Sequence, residues 1–341
     1  MLEIGSIVDG KYRILSKVGQ GGMSTVYLAI NEKANKPWAI KEVHKDGIQN
    51  FEVVRQSLIV ETDLLKKLKH DNLPSIIDII DQDDNFLIVM DYIEGITLDK
   101  VIKEYGPQKQ DDVVNWAIQL CDVLCYLHTR KPPIIYRDMK PSNVMLKYDG
   151  SVVLIDFGTA REYKERASGD TACLGTQGYA APEQFGGQGQ TDARTDIYCL
   201  GATMYHLLTG HNPSEPPYEM YPITYWDASL SSGLEGIILK CTQKNPEDRY
   251  QTAEELMYAL QNYRDLDAPM IRKYKHRVIS FATSAALAVL CGVMAVTMHV
   301  SARGQQKSEY AYLIDAAQKA SSQEDKKAYY TLGGFNGYIE L

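Results

Sequence analysis

Apolar and polar residues change rhythm along this chain. They alternate from Tyr12 to Val18, which predicts a strand, and the apolar run Val26 to Ile30 reads as its return strand. Trp38 to Val43 and Asn85 to Met90 read as two more. Between them, Phe51 to Leu68 carries Leu58, Ile59, Leu64, Leu65 and Leu68 at helical spacing. Beyond Thr97 the period becomes helical. Val113, Val114, Ala117, Leu120, Leu124 and Leu127 share one face of a predicted core helix ending at His128. A long apolar helix opens at Thr195 and runs to Leu208.

Gly19-Gln20-Gly21-Gly22 joins the first two strands. Backbone N–H groups in such a turn can lie over phosphates, because no Cβ blocks the approach. A plain hairpin turn accounts for the same residues, and the candidate Lys41 on the following strand favours phosphates. A strand rather than a helix follows, unlike a Rossmann fingerprint.

Two polar loops carry the chemistry. Ile135-Tyr136-Arg137-Asp138-Met139-Lys140-Pro141-Ser142-Asn143 is followed by Asp156-Phe157-Gly158. The apolar runs Pro133-Ile134-Ile135 and Val152-Val153-Leu154-Ile155 flank them. Any one of these polar groups alone reads as a solvated loop residue. Together they suit phosphoryl transfer. Asp138 would orient an acceptor hydroxyl and take its proton, and Lys140 would neutralise charge on the transferred group. Asn143 offers an amide oxygen to Mg²⁺, and Asp156 a carboxylate to the metal bridging a nucleotide's phosphates.

These loops resemble the catalytic and metal-binding loops of eukaryotic-type protein kinases. Lys140 after Asp138 follows the serine/threonine pattern of that family. The resemblance runs from about Tyr12 to Arg264 and implies an α+β, bilobal kinase fold over 12–266, with a β-rich small lobe and a helical large lobe. It implies ATP with Mg²⁺, or Mn²⁺, and protein substrates bearing Ser or Thr. Gly19 and Gly21 would cover the phosphates, and Lys41 would contact them while pairing with Glu61. Val26 and Ala39 would line the adenine pocket, Met90 would gate its back, and the backbones of Asp91 and Ile93 would bond the adenine edge. Thr176 would touch Asp138 and Lys140, Asp196 would hold the catalytic-loop backbone, and Arg249 would pair with Glu183. Ala181-Pro182-Glu183 would close an activation segment in which Ser168 and Thr171 are the phosphorylation candidates. A phosphate on Thr171 would pair with Arg137 and order the loop.

Two residues depart from the family pattern. Ser24 stands where a third glycine is usual, and Tyr136 where His is usual. An aromatic ring can still fill the place beneath Phe157. Because Lys41, Glu61, Asp138, Asn143 and Asp156 are all present, an active kinase is favoured over a nucleotide-binding pseudokinase scaffold. Lys140 and the activation segment favour a protein substrate over a small-molecule one.

Composition narrows the setting. The chain has 341 residues, 45% hydrophobic and 23% charged, which is ordinary for a globular protein. The net charge of −8 argues against a general nucleic-acid binder. Six scattered cysteines suit a reducing compartment. Cys121 and Cys125 share a helix face without a second pair to complete a metal site, so they read as buried thiols. Met1 to Gly10 lacks the basic and apolar regions of a secretory signal.

Past the large lobe the pattern changes again. Arg272, Lys273, Lys275 and Arg277 make 267–277 a basic juxtamembrane segment, and 278–300 carries no charged residue. As a helix that run spans about 34 Å, enough for a bilayer core of about 30 Å. The charge asymmetry predicts a cytoplasmic N-terminal part and an outer C-terminus at the cell membrane. This layout is similar to that of bacterial receptor-type kinases, which implies self-phosphorylation within a dimer. In the outer part, 301–341, Tyr310 to Lys319 and Asp325 to Leu332 read as helices broken at Ser321-Ser322. A lone hairpin of this kind cannot bury its apolar face, so the part reads as a tail or an incomplete sensor.

Overall fold

The computed structural model describes residues 1–21, 24–43, 66–82, 85–156, 161–162, 175–185 and 190–334. They fall into two units, Met1–Ala268 and Pro269–Leu341. Glu61, Phe157, Ser168, Thr171 and most of the helix expected over 51–68 lie outside the described residues.

The first unit begins with a six-stranded antiparallel sheet. Its strands are β1 (Ile7–Val8), β2 (Tyr12–Gln20), β3 (Ser24–Asn31), β4 (Lys36–Val43), β5 (Ile76–Gln82) and β6 (Asn85–Asp91), in the order β1-β2-β3-β4-β6-β5. Side chains alternate between sheet faces, so one face collects Tyr12, Ile14, Tyr27, Ala29, Ile40, Leu87 and Val89 into a core. The same alternation leaves Val26, Ala39, Lys41 and Met90 on the opposite face. The register pairs Val26 with Lys41 and Ala39 with Met90, which brings the four together.

The expected helix does not reach Leu68. Residues 66 and 67 form a turn, and residues 68–70 have no regular structure. The Lys69 N–H donates to the Tyr126 hydroxyl at 2.9 Å, and Asn72 donates to Gln119 at 3.1 Å and to the Val152 carbonyl at 2.6 Å. The chain turns there because its polar groups dock on the large lobe.

That lobe contains α1 (Leu98–Tyr105), α2 (Gln110–His128), α3 (Ala193–Thr209), α4 (Ile223–Trp226), α5 (Ser232–Cys241) and α6 (Ala253–Gln261). Two small sheets sit among them, one of β7 (Ile96–Thr97), β9 (Val144–Leu146) and β10 (Val152–Leu154), the other of β8 (Ile134–Ile135) and β11 (Arg161–Glu162). Helix α3 is central, buried almost throughout from Thr195 to Thr209. Asp192 caps its start by accepting the Arg194 N–H, and Gly210 ends it at φ 72°. Gly201 lets α5 come close, since a Cβ there would lie 2.6 Å from that of Cys241.

The second unit is helical. A helix of 52 residues, α7 (Ala268–Lys319), is followed by α8 (Gln323–Leu332), whose N-terminus Ser322 caps through the Asp325 N–H at 3.1 Å. The segment expected over Tyr310–Lys319 is thus continuous with the apolar run. Residues 301–309 contain no proline, and the single Gly304 costs a helix only about 1 kcal/mol. Residues 278–300 are exposed along their whole length, and the helix is long and apolar enough to cross a membrane.

One ion pair braces the large lobe. Arg249, 2% exposed, donates from both terminal nitrogens to the Glu183 carboxylate at 2.7 and 2.9 Å, and Thr195 Oγ1 donates to the same carboxylate at 2.8 Å. Arg249 also donates to the carbonyls of Gln243, Lys244 and Arg194. Removing one partner strands a buried charge. Arg249→Ala is therefore expected to lower unfolding free energy by about 3–5 kcal/mol. Urea titration followed by tryptophan fluorescence would measure this in the whole chain, because Trp38, Trp116 and Trp226 all lie in the first unit.

Candidate active site

The site starts where β8 ends. Arg137 adopts φ 70°, a left-handed conformation that costs a non-glycine residue about 1–2 kcal/mol. Asp196, with no exposed surface, holds it there. Its carboxylate accepts the N–H groups of Tyr136 at 2.9 Å and Arg137 at 2.6 Å, and lies 2.8 Å from His128 Nε2. Two residues on, the Met139 carbonyl accepts Thr203 Oγ1 at 3.1 Å. The loop then closes in a 3₁₀ turn over Pro141–Asn143.

Held in this way, Asp138 becomes the centre of a polar cluster. One carboxylate oxygen accepts the Thr176 hydroxyl at 2.8 Å, and the other accepts Lys140 Nζ at 2.8 Å and Asn143 Nδ2 at 3.0 Å. Lys140 also donates to Thr176 at 2.6 Å, and Asn143 to the Asp138 carbonyl at 2.8 Å. The Asp138 side chain keeps 14% of its surface exposed and that of Lys140 keeps 22%, so a ligand can reach both. The Asn143 nitrogen is committed to Asp138, and the amide oxygen is its atom suited to a metal.

The second loop meets this cluster through the backbone. The Ile155 N–H donates to the Asn143 carbonyl at 2.8 Å, and the Tyr136 hydroxyl donates to the Ile155 carbonyl at 2.5 Å. Burial pushes the Tyr136 hydroxyl well above its ordinary range, so it stays a donor. Asp156 follows at φ 68° and pairs with Lys41 at 2.5 Å. Its carboxylate is 43% exposed, and an oxygen donor of this kind beside the Asn143 amide suits a hard cation such as Mg²⁺.

Around the turn above, the Gly21 N–H donates to the Ser24 carbonyl at 2.8 Å, and Gly19 pairs with Val26. Among the described residues, a Cβ at Gly19 would meet nothing within 4 Å, and one at Gly21 only Ser24 at 3.8 Å or more. Packing among the described residues does not require glycine at either position. At the other end of the sheet, the Asp91 N–H is taken by the Ser75 carbonyl at 3.0 Å. The Asp91 side chain accepts the Ser75 N–H and pairs with Lys36. Its carbonyl is the backbone group it can offer a ligand. Ile93 lies just beyond, in an irregular segment.

The structure thus brings Asp138, Lys140, Asn143 and Thr176 together, links them to Asp156, and sets Lys41 against Asp156. Glu61 lies outside the described residues. Gln184, Cys199 and Thr203, which contact the loop backbone, and His128, which contacts Asp196, gave no signal as site residues. Their partners are distant in sequence, and motif spacing does not report such contacts. Cys121 and Cys125 are free thiols, the first fully buried, and burial pushes Cys125 up to about 11.

Comparison with known proteins agrees with this geometry. The family model for the protein kinase domain matches residues 12–260. The serine/threonine-protein kinase PrkC of Bacillus subtilis is 33% identical over 276 residues, covering 77% of this chain and 42% of that protein. A probable serine/threonine-protein kinase of Clostridium perfringens is 33% identical over 273 residues, 76% of this chain and 39% of that protein. The serine/threonine-protein kinase PknB of Mycobacterium tuberculosis is 30% identical over 283 residues, 74% of this chain and 42% of that protein. The chain therefore spans about two fifths of the length of these relatives.

Two predictions follow from groups behind the site. Tyr136→Phe leaves the Ile155 carbonyl without its hydroxyl donor and is expected to cost about 1–3 kcal/mol of stability by urea titration. His206 faces the Tyr179 hydroxyl at 2.5 Å, and burial pushes it from 6.5 down to about 4. The unfolded chain binds this proton below about 6.5, whereas the folded chain resists it until about 4. The contribution is fully present above that range and is lost as pH falls through it, by on the order of 3 kcal/mol. Urea titrations across that range should show the loss, and His206→Gln should flatten it.

Proposed function

The chain belongs to the protein kinase family, and we propose that it is a membrane-anchored serine/threonine protein kinase that moves the γ-phosphoryl group of ATP to Ser or Thr of proteins, its own activation segment included. The observation that carries this reading is the cluster in which Asp138 accepts Lys140, Asn143 and Thr176 at 2.8–3.0 Å. Asp138 orients the acceptor hydroxyl and takes its proton as the bond to phosphorus forms. Lys140 offsets the charge that develops on the transferred group. Asn143 and Asp156 would hold Mg²⁺, which neutralises the phosphates. Gly19 and Gly21 cover those phosphates, and Lys41, partnered by Glu61, contacts them. Val26, Ala39 and Met90 enclose the adenine, and the Asp91 and Ile93 backbones bond its edge.

The names of the relatives support serine and threonine as acceptors. The presence of Lys41, Asp138, Asn143 and Asp156 speaks against a nucleotide-binding scaffold. The catalytic domain covers 12–266, the basic segment 267–277, the span 278–300 and the outer part 301–341. The kinase faces the cytoplasm, and the span brings two copies together for self-phosphorylation.

The test is to incubate the full chain in detergent with Mg²⁺ and labelled ATP, beside Asp138→Asn, and to map the label by mass spectrometry. Label on Ser168 or Thr171 is expected, with Asp138→Asn reducing its rate by about 10²–10⁴-fold. Nucleotide binding without label transfer, in detergent and after reconstitution at high density in vesicles, would favour the scaffold. Thr171→Ala with unchanged activation kinetics would remove Thr171 as the switch.

A further inference from the structure

The direction of the Asp138 side chain depends on the peptide plane that precedes it. That plane contains the Arg137 carbonyl and the Asp138 N–H, and it turns as one rigid unit. Asp196 fixes the peptide plane before it, through the Arg137 N–H. The carbonyl is held from a different direction. Gln184 Nε2 donates to it at 2.8 Å, with the Cys199 thiol at 3.8 Å as a weak second donor.

Gln184 is 2% exposed, and its two amide atoms face opposite ways. While the nitrogen donates to Arg137, Oε1 accepts the Ala181 N–H at 2.9 Å. One side chain therefore joins the catalytic loop to residues 175–185. Gly175 packs directly upon it, for a Cβ there would lie 2.8 Å from Nε2. Thr176, the next residue, donates to Asp138 itself. The same segment thus reaches Asp138 twice, at its carboxylate through Thr176 and at its backbone through Gln184.

We infer that Gln184 is a positioning residue for phosphoryl transfer, setting the Arg137–Asp138 peptide according to the placement of residues 175–185. The inference rests on the kinase reading above. It asks for an amide in particular, because the site needs a donor and an acceptor on one planar group. An ionised carboxylate of the same shape accepts only and would face the Arg137 carbonyl without a proton. A protonated carboxyl could again donate to Arg137 and accept from Ala181. Burial raises the pKa of such a group and makes this form reachable.

The test compares Gln184→Glu, Gln184→Met and the parent as full chains in detergent, with Leu256→Ala as a control. Leu256 is buried in α6, away from the loop contacts described above, and its truncation reports the effect of lost stability alone. Steady-state kinetics on a Ser/Thr peptide would be measured at temperatures where melting curves show each chain folded. Both Gln184 variants are expected to lose about tenfold or more in kcat with KM for ATP changed less than about twofold, as for an interaction that matters in the transition state. Leu256→Ala should keep its kcat. The ratio of Gln184→Glu to parent kcat should rise as pH is lowered from about 8 to about 6, whereas that of Gln184→Met should not. A kcat within about twofold of the parent in both variants, or a Gln184→Glu deficit that ignores pH, overturns the inference. If Gln184→Met does not fold, the pH response of Gln184→Glu decides alone. A parent without transfer activity would instead count against the kinase reading.

Discussion

The Asp196 carboxylate lies wholly inside the large lobe, and three N–H donors converge on it. A charge so buried is tolerable only when its oxygens are satisfied in this way. In return it pins two successive backbone amides and holds Arg137 in a conformation the residue would otherwise avoid. The placement of Asp138, Lys140 and Asn143 builds outward from that point. Helix α3 repeats the device along one stripe. Asp196, Cys199 and Thr203, three and then four residues apart, address the Arg137 N–H, the Arg137 carbonyl and the Met139 carbonyl in turn. A helix buried on nearly all sides serves as a rigid rule against which the loop is laid.

A second brace holds the segment that faces the loop. The Glu183–Arg249 pair, joined by Thr195 at the start of α3, ties residues 175–185 to the same helix. Loop and segment therefore share one support, and Thr176 meets Asp138 because both are measured from it. The small lobe reaches this frame through Lys41 on Asp156 and through Asn72 on Val152 and Gln119. Tyr136 closes the arrangement by joining the first loop to the second at Ile155. Its hydroxyl gives the residue a polar link as well as an aromatic ring, which is how the departure from the family's usual His is accommodated.

The second unit follows a different logic. Along 278–300 its apolar side chains are exposed, and the basic residues before them mark one flank. Length and composition qualify the helix to span a bilayer. Its continuation to Lys319 reflects propensity, since nothing between 301 and 319 is a strong helix breaker.

Much was legible in the residues themselves. Period-two alternation marked β2, short apolar runs marked β3, β4 and β6, helical spacing marked α2 and a long apolar run marked α3, because those patterns record what meets the core. The chemical set Asp138, Lys140, Asn143 and Asp156 was legible because loop chemistry depends on residue types at short spacing. The turn at Lys66, the unbroken length of α7 and the roles of His128, Gln184, Cys199 and Thr203 were not. Each of those roles is a hydrogen bond between residues far apart in sequence, and neither periodicity nor a motif encodes which distant polar group will satisfy a buried carbonyl or amide. The sequence by itself determined the reacting groups and the elements that carry them. Only the tertiary structure decided how their backbone is aimed, because that depends on which buried donors and acceptors packing brings within reach.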